Sequence, residues 1–349
     1  MGTITQALGL SEEQVRRLLQ TAALAPSLHN TQPWRFRLTP DWIEVHLDRG
    51  RKLRVADPDG RELRIAGGAA LFNLRLGLIG LGIRPVVTVL PDPANPDLVA
   101  IVRRGGRRRA TPEQQRLLAA VPRRRTNRRP FAEVAVASPA RYELTRAATE
   151  EGAWLHLVTD PQQRSELGWL ARQAHQRQSA DPAFLAEIAA WTGHEAGRPD
   201  GVPAAAGGPQ PLSNGAWVMR DFTGGTGRID GPDFEAEPLI GVLSVHTDGP
   251  REEIRAGEAL QRVLLTATVH GLSVSFLSQL VEIPDVRDRM RRLLSGTRPP
   301  LAVLRIGHGW PVAATPRLRV EDLVLPASAA TSTTPAHTDK ELADDPHRA

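Results

Sequence analysis

The residues able to do chemistry in this chain sit mainly in two short polar runs. The first, APSLHNTQPWRF from Ala25 to Phe36, places Ser27, Asn30, Thr31 and Gln32 in one loop. Hydroxyls and amides of this kind donate and accept hydrogen bonds, so such a loop can hold the polar rim of a flat heterocycle. The second is RRRTNRRPF, from Arg123 to Phe131. In an extended backbone alternate side chains share a face, which puts Arg124, Thr126 and Arg128 on one side and Arg125 and Asn127 on the other. Two guanidinium groups and a hydroxyl facing one way suit a phosphate dianion, at about 1.5–3 kcal/mol for each charge-assisted contact. By itself the same run reads equally well as a solvated basic patch or an RNA-binding arm.

Those runs need a scaffold, and periodicity supplies one. Ser11, then Glu12 and Glu13, then Val15, Leu18, Leu19 and Ala22 predict a capped amphipathic helix. Pro26 stops it, and Pro33 forces an extended strand from Trp34. Further along, GAALFNLRLGLIGLG from Gly68 overlays GEALQRVLLTATVHG from Gly257 at a constant offset (257 − 68 = 189). Ala70, Leu71, Leu76 and Gly82 then meet Ala259, Leu260, Leu265 and Gly271. Each segment reads as a helix closed by a glycine that can turn left-handed. The overlay predicts two duplicated halves, residues 1–117 and 118–325, joined through the short helix in TPEQQRLLAAVP. In the second half, helices are expected from Ser138 through Ala148 and around Leu167, Leu170, Phe184 and Leu185, and strands at WLHLV (from Trp154) and LAVLRIGHG (from Leu301). A Gly-, Pro- and Ala-dense stretch within 176–238, flanked by Trp191 and Trp217, reads as an inserted lid. Residues 326–349, rich in Ala, Ser, Thr and Pro, read as a disordered tail.

Composition removes several function classes. The chain has no cysteine, which excludes disulfides, thiolate metal sites and thiol relays, so redox chemistry would need a bound cofactor. No GxGxxG follows a strand, which speaks against a separate dinucleotide domain. The histidines are scattered: His29 lies in the polar loop, while His175, His194, His270 and His308 lack metal-protease spacing. No metal is expected, and no catalytic acid or base is assigned. The net charge of +5 and isoelectric point near 10.6 reflect arginine. Its density from Arg103 to Arg129 reads mostly as solvated charge, and a nucleic-acid partner is not expected. With no basic region leading into an apolar run and no long uncharged span, a cytoplasmic protein without membrane contact is expected.

The APSLHNTQPW segment resembles the helix-to-loop-to-strand signature of the FMN-dependent nitroreductase family. The pattern from Glu12 to Leu325 is similar to the duplicated, lid-containing Acg-type branch of that family in actinobacteria. The resemblance implies an α/β fold, α+β in the nitroreductase manner, whose two fused halves each hold a central sheet flanked by helices and form a pseudo-dimer within one monomeric chain. It implies FMN between the halves. Pro26, Ser27, Leu28 and Asn30 would meet the ring, with Gln32 in the same loop. Arg124, Thr126 and Arg128 would meet the phosphate, joined by Arg317 and Arg319, which stand two apart in ATPRLRVEDLV. Phe276, Leu277, Ser278 and Gln279 would pass the reactive edge, although Glu-Gly is frequent in the family where Ser278 and Gln279 stand. Family chains normally open with a basic Arg-x-Ser-x-Lys/Arg motif, yet residues 1–10 carry no basic residue here and the motif lies mid-chain. The second half, in turn, lacks any counterpart of APSLHNTQPW. One flavin site would therefore survive, its ring loop from the first half and its arginines from the second. The implied activity is electron transfer from NAD(P)H to a quinone or nitroaromatic acceptor; the alternative is an FMN-sequestering or storage protein with its lid closed.

Overall fold

In a computed structural model of the chain, residues 2–194, 197–208, 217, 219, 220, 222, 235 and 237–326 are described. Ser11 starts α1 (Glu12–Ala23) through a capping box: its hydroxyl accepts from the Gln14 amide while the Gln14 side chain accepts from the Ser11 amide. Val15, Leu18, Leu19 and Ala22 form the buried face. A short turn at Leu28–Asn30 leads to β1 (Trp34–Leu38) and β2 (Trp42–Leu47), followed by α2 (Arg61–Gly80), β3 (Ile83–Val89), β4 (Leu98–Arg107) and α3 (Pro112–Ala120). The first sheet has the order β1-β2-β4-β3 and is antiparallel throughout.

The second half runs through β5 (Phe131–Ala132), α4 (Ser138–Glu150), β6 (Trp154–Val158), α5 (Pro161–Ser179) and α6 (Pro182–Trp191). A parallel pair, β7 (Thr192–His194) and β8 (Val202–Pro203), comes next. Then follow β9 (Leu239–Ser244), α7 (Pro250–Val269), β10 (Ser273–Phe276), α8 (Gln279–Glu282), α9 (Pro284–Leu293), β11 (Pro300–Gly309) and α10 (Val320–Leu323). Its sheet has the order β10-β11-β9-β6, with β5 on β11, again antiparallel. The class is thus α+β, with the sheets separated by helices and no parallel βαβ sheet among the described residues. The helical stretch holding Leu167 to Leu185 is two helices, broken where Asp181 caps α6 and Pro182 opens it.

The helices α2 and α7 cross at two glycines. A Cβ on Gly68 would overlap the carbonyl oxygen of Ile254, and a Cβ on Gly257 would overlap that of Ile65. The offset of 189 relates Gly68 to Gly257 and Ile65 to Ile254, so the contact is reciprocal, as at a two-fold interface between like subunits. Arg64 pairs with Glu253 at the same offset, and Gln261 donates to Asn73 at 2.8 Å in the buried seam. Gly82 and Gly271 follow the two helices with φ of +77° and +69°. Among the described residues α2 is the one helix long and apolar enough to cross a membrane, and most of it is buried inside the protein.

After β11 the chain returns to the first half. Leu318, Val320, Leu323 and Val324 are buried in the same core as α1, Trp34 and Phe36, and the Leu325 amide donates to the Phe36 carbonyl at 2.8 Å. Residues expected at the end of the second half therefore complete the first core. So short a segment has no periodicity to say which sheet it joins. The expected tail beyond Pro326, and most of the expected lid from 209 to 236, lie outside the described residues. A Gly257→Ala substitution should cost about 1–3 kcal/mol through overpacking against backbone. Urea unfolding should show a lower midpoint for it, while Gly106→Ala, where a Cβ meets nothing within 4 Å, should stay near wild type.

Candidate functional site

A narrow cleft lies where the two halves meet. It is lined by Pro26, Ser27, Leu28 and His29 from the polar loop, Glu62, Ile65, Ala66 and Ala69 from α2, and Leu260 from α7. Thr126 and Arg128, Ser275 and Phe276, Ser278 and Gln279, and Arg220 with Phe222 complete the wall. The polar loop and the TNR segment, nearly a hundred residues apart in sequence, thus face one cavity.

The loop is held in a costly backbone shape. His29, Asn30 and Gln32 have φ of +49°, +56° and +51°, a region that costs non-glycine residues about 1–3 kcal/mol each and persists only where their surroundings over-determine it. Here they do. Asn30 Nδ2 donates to the carbonyls of Gly201 (2.9 Å) and Pro316 (3.0 Å), and Asn30 Oδ1 accepts from Arg317 Nη1 (2.9 Å). Gln32 Nε2 donates to the Pro199 carbonyl, Gln32 Oε1 accepts from the Leu318 amide, and Ser27 Oγ accepts from the Gln32 amide, each at 2.9 Å. Asn30 and Gln32 therefore clamp the loop to the insertion and to the returning C-terminal segment, and neither lines the cavity.

The basic run lies extended beside β10, with the Asn127 amide donating to the Val274 carbonyl at 2.9 Å and Thr126 bridging Val274. Alternation follows: Asn127 turns to Ser273 and the Trp310 carbonyl, and Arg125 to backbone carbonyls of its own turn. Thr126 and Arg128 turn to the cavity. Arg124 is buried beside Arg128 and Arg317 without lining the cavity, and its Nε and Nη1 have no hydrogen-bond partner. Burial first, then neighbouring arginines, pushes Arg124 and Arg128 down to about 10 and Arg317 to about 9. All three remain charged at neutral pH, and among the described residues none has a carboxylate partner. Arg317 instead donates to Asn30, Thr315 and the carbonyls of Ala23 and Ala25.

Arg319 does not share a face with Arg317. The chain turns into α10 there, so Arg319 points to solvent and pairs with Asp322 at 3.1 Å. Phe276, Ser278 and Gln279 line the cavity, whereas Leu277 is fully buried in the core behind it. The lining residues that sequence reasoning did not assign are His29, Glu62, Ile65, Ala66, Ala69, Arg220, Phe222, Leu260 and Ser275. Position 29 inside the polar loop was the one local signal among them. Phe222 covers His29 edge-on at 5.8 Å and lies under Arg128 at 4.5 Å. Arg220 is tied to Glu282 at 2.6 Å and to Gln178 at 2.9 Å.

A second cleft occupies the positions related by the offset. Where Ala66, Ala69, Phe276 and Ser278 line the first, Arg255, Glu258, Val87 and Val89 line the second. It carries an ion-pair network: Arg75 joins Glu258 (2.5 Å) and Glu151 (2.9 Å), and Arg262 joins Glu113 (2.9 Å) and Glu151 (3.0 Å).

The chain is similar along most of its length to two Mycobacterium tuberculosis proteins that carry the name "Putative NAD(P)H nitroreductase", Rv3131 and acg. It is 33% identical to the first over 320 residues, covering 89% of this chain and 91% of that one. It is 28% identical to the second over 319 residues, covering 90% and 96%. No model of a known protein family matches. Among solved structures, a nitroreductase with bound FMN from Bacteroides fragilis aligns with a TM-score of 0.36 at 14% identity, over 57% of this chain and 92% of that one. An NADPH:FMN oxidoreductase from Vibrio harveyi complexed with NAD+ aligns with a TM-score of 0.35 at 13% identity, over 66% and 80%. An α+β chain related over 89% of its length, at 33% identity, to Rv3131 is a nitroreductase-like protein by class. It belongs to the nitroreductase-like family.

The clamp at Asn30 generates a test. Asn30→Ala loses three hydrogen bonds and keeps a strained left-handed residue, and it should cost about 2–4 kcal/mol. Thermal melts should show the loss, and limited proteolysis should cut near residues 197–208 faster than in wild type.

Proposed function

We propose that this chain binds FMN in the cleft and acts as an NAD(P)H-dependent oxidoreductase, delivering electrons to a quinone or nitroaromatic acceptor. The observation that carries the reading is electrostatic. Arg124 is buried beside the half-buried Arg128 and Arg317, the three have no carboxylate partner among the described residues, and Arg124 has donors with nothing to donate to. Burying cations so is costly unless an anion comes to them, and a phosphate monoester at the rim of a slot supplies one. The donor set fits the group: guanidinium and hydroxyl at the anionic end, small and apolar Ala66, Ala69, Ile65 and Leu260 along the wall, and the polar loop beside them. Bound FMN would supply hydride chemistry, while the chain's share is to bind, orient and exclude water. The NAD(P)H nitroreductase names of the mycobacterial relatives agree with this reading.

We read the site as single and the chain as a duplication acting as its own dimer. The reciprocal glycine contact supports the duplication, and Glu258 in place of Ala69 supports the loss of the second site. A storage role is the second reading, favoured by Phe222 and Arg220, which the insertion lays over the cavity and latches to Glu282.

FMN titration followed by fluorescence, then NADPH oxidation with a quinone acceptor, tests both readings. Arg128→Ala should weaken FMN binding by about 10-fold or more, from one charge-assisted contact, while unfolding stays cooperative, and adding Arg124→Ala, which removes the charge behind it, should weaken binding further. Unchanged affinity would remove the assignment. A yellow wild-type protein without turnover would leave the storage role.

A further inference from the structure

One ionisable side chain in the cleft has no part in holding a flavin. Glu62 stands in the first turn of α2 and lines the cavity together with His29, Ser278 and Gln279. Its carboxyl makes no hydrogen bond or ion pair among the described residues. Amides at a helix start ordinarily favour a carboxylate, but here Asp57 takes them, accepting from the Glu62 amide at 3.1 Å and the Leu63 amide at 2.9 Å.

The charged groups facing Glu62 are Asp57 ahead of the helix, Glu282 of α8, Arg61 on its own helix and Arg220 of the insertion. Arg220 is already committed to Glu282. Burial, followed by the repulsion of Asp57 and Glu282, pushes Glu62 up to about 8, so it keeps its proton at neutral pH. His29 departs the other way: burial, then Arg220 and Arg128, holds it well below the ordinary imidazole range. Its ring is neutral, and both nitrogens lack a partner. Two titratable groups in one cavity whose environments push them apart mark out proton-handling roles.

We propose that Glu62 is the proton donor to a quinone-class acceptor bound in this cleft beside His29, a step that rests on the oxidoreductase reading above. A Glu62 carboxyl oxygen gives the acceptor one proton, while bound FMN, reduced by NAD(P)H, would supply the hydride. The products are the hydroquinone, the oxidised cofactor and the Glu62 carboxylate, which regains a proton from water. The His29 ring N–H donates to the acceptor's second oxygen and orients it.

Glu62→Gln preserves size and the neutral form. It should bind FMN like wild type by fluorescence titration, yet lower kcat for NADPH-driven reduction of a water-soluble benzoquinone by about 100-fold with little change in KM. Wild-type kcat should fall above pH 8 as the donor ionises, and that limb should vanish in the variant. The absorbance of bound FMN supplies a readout without turnover: it should titrate with a midpoint near 8 in wild type and stay flat in Glu62→Gln. His29→Phe should raise KM for the quinone and leave the alkaline limb in place.

Stability gives a further arm. Folding raises the proton affinity of Glu62, so its contribution is complete below pH 4.5 and is lost as pH climbs through about 8. Glu62→Gln should therefore melt higher than wild type at pH 9. A variant with wild-type kcat and the same alkaline limb, or bound-FMN absorbance titrating alike in both proteins, overturns the proposal. A wild-type protein that takes up no FMN overturns the cofactor reading instead, and does so before any variant is compared.

Discussion

The crossing of α2 and α7 is the constraint on which the rest depends. Gly68 and Gly257 each face a carbonyl oxygen of the other helix, so the two backbones approach as closely as helices can. Side chains of ordinary size would hold them apart. Because of that approach, the Glu62–Ala69 face of α2 and Leu260 of α7 line one cleft, and the arginine segment beside β10 is brought to the loop after α1. The cleft is a consequence of how the halves meet.

Two kinds of buried arginine show what the interior is built for. Arg305 lies in the core of the second sheet, but Glu235 accepts from it at 2.7 and 2.9 Å and its guanidinium stacks on Phe131 at 3.8 Å. It is a closed structural unit, strongly unfavourable to break and neutral to its surroundings. Arg124 is buried too, Arg128 and Arg317 beside it are half-buried, and all three lack any such carboxylate among the described residues. A chain that neutralises a buried arginine in one place leaves these three without a carboxylate among the described residues in another, and that place adjoins the cleft.

What the sequence made legible was local. The Ser11 cap, the apolar face of α1 and the break at Pro26 depend on neighbours within a few residues, and so does the alternation of Arg124, Thr126 and Arg128 once the segment lies extended. Asn30 and Gln32 show the limit. Their amides marked the loop as polar and specific, but an amide that rims a ligand and one that clamps a strained loop look alike until Gly201, Pro199 and Leu318 arrive from elsewhere. Arg319 failed for a different reason: reading two residues apart as one face assumed an extended chain, and the turn into α10 gave it to Asp322. Glu62 and Phe222 had no local signal, since one is an acid in a helix's first turn and the other lies in sequence without periodicity.

The two clefts differ at positions 189 residues apart in sequence. A symmetric pair of clefts would need small residues on both central helices, and α2 has them at Ala66 and Ala69. At the related positions α7 has Arg255 and Glu258, and Glu258 is drawn to Arg75, itself on α2 and bound to Glu151 of the segment after α4. Carboxylates in that second cleft repel a phosphate, and their bonds to Arg75 and Arg262 consume the guanidinium groups that would have attracted one. The ion pairs join α2, α3 and α7 to the end of α4. One cleft thus adjoins arginines that have no carboxylate partner among the described residues, while the other spends its arginines on ion pairs that hold α2, α3, α4 and α7 together.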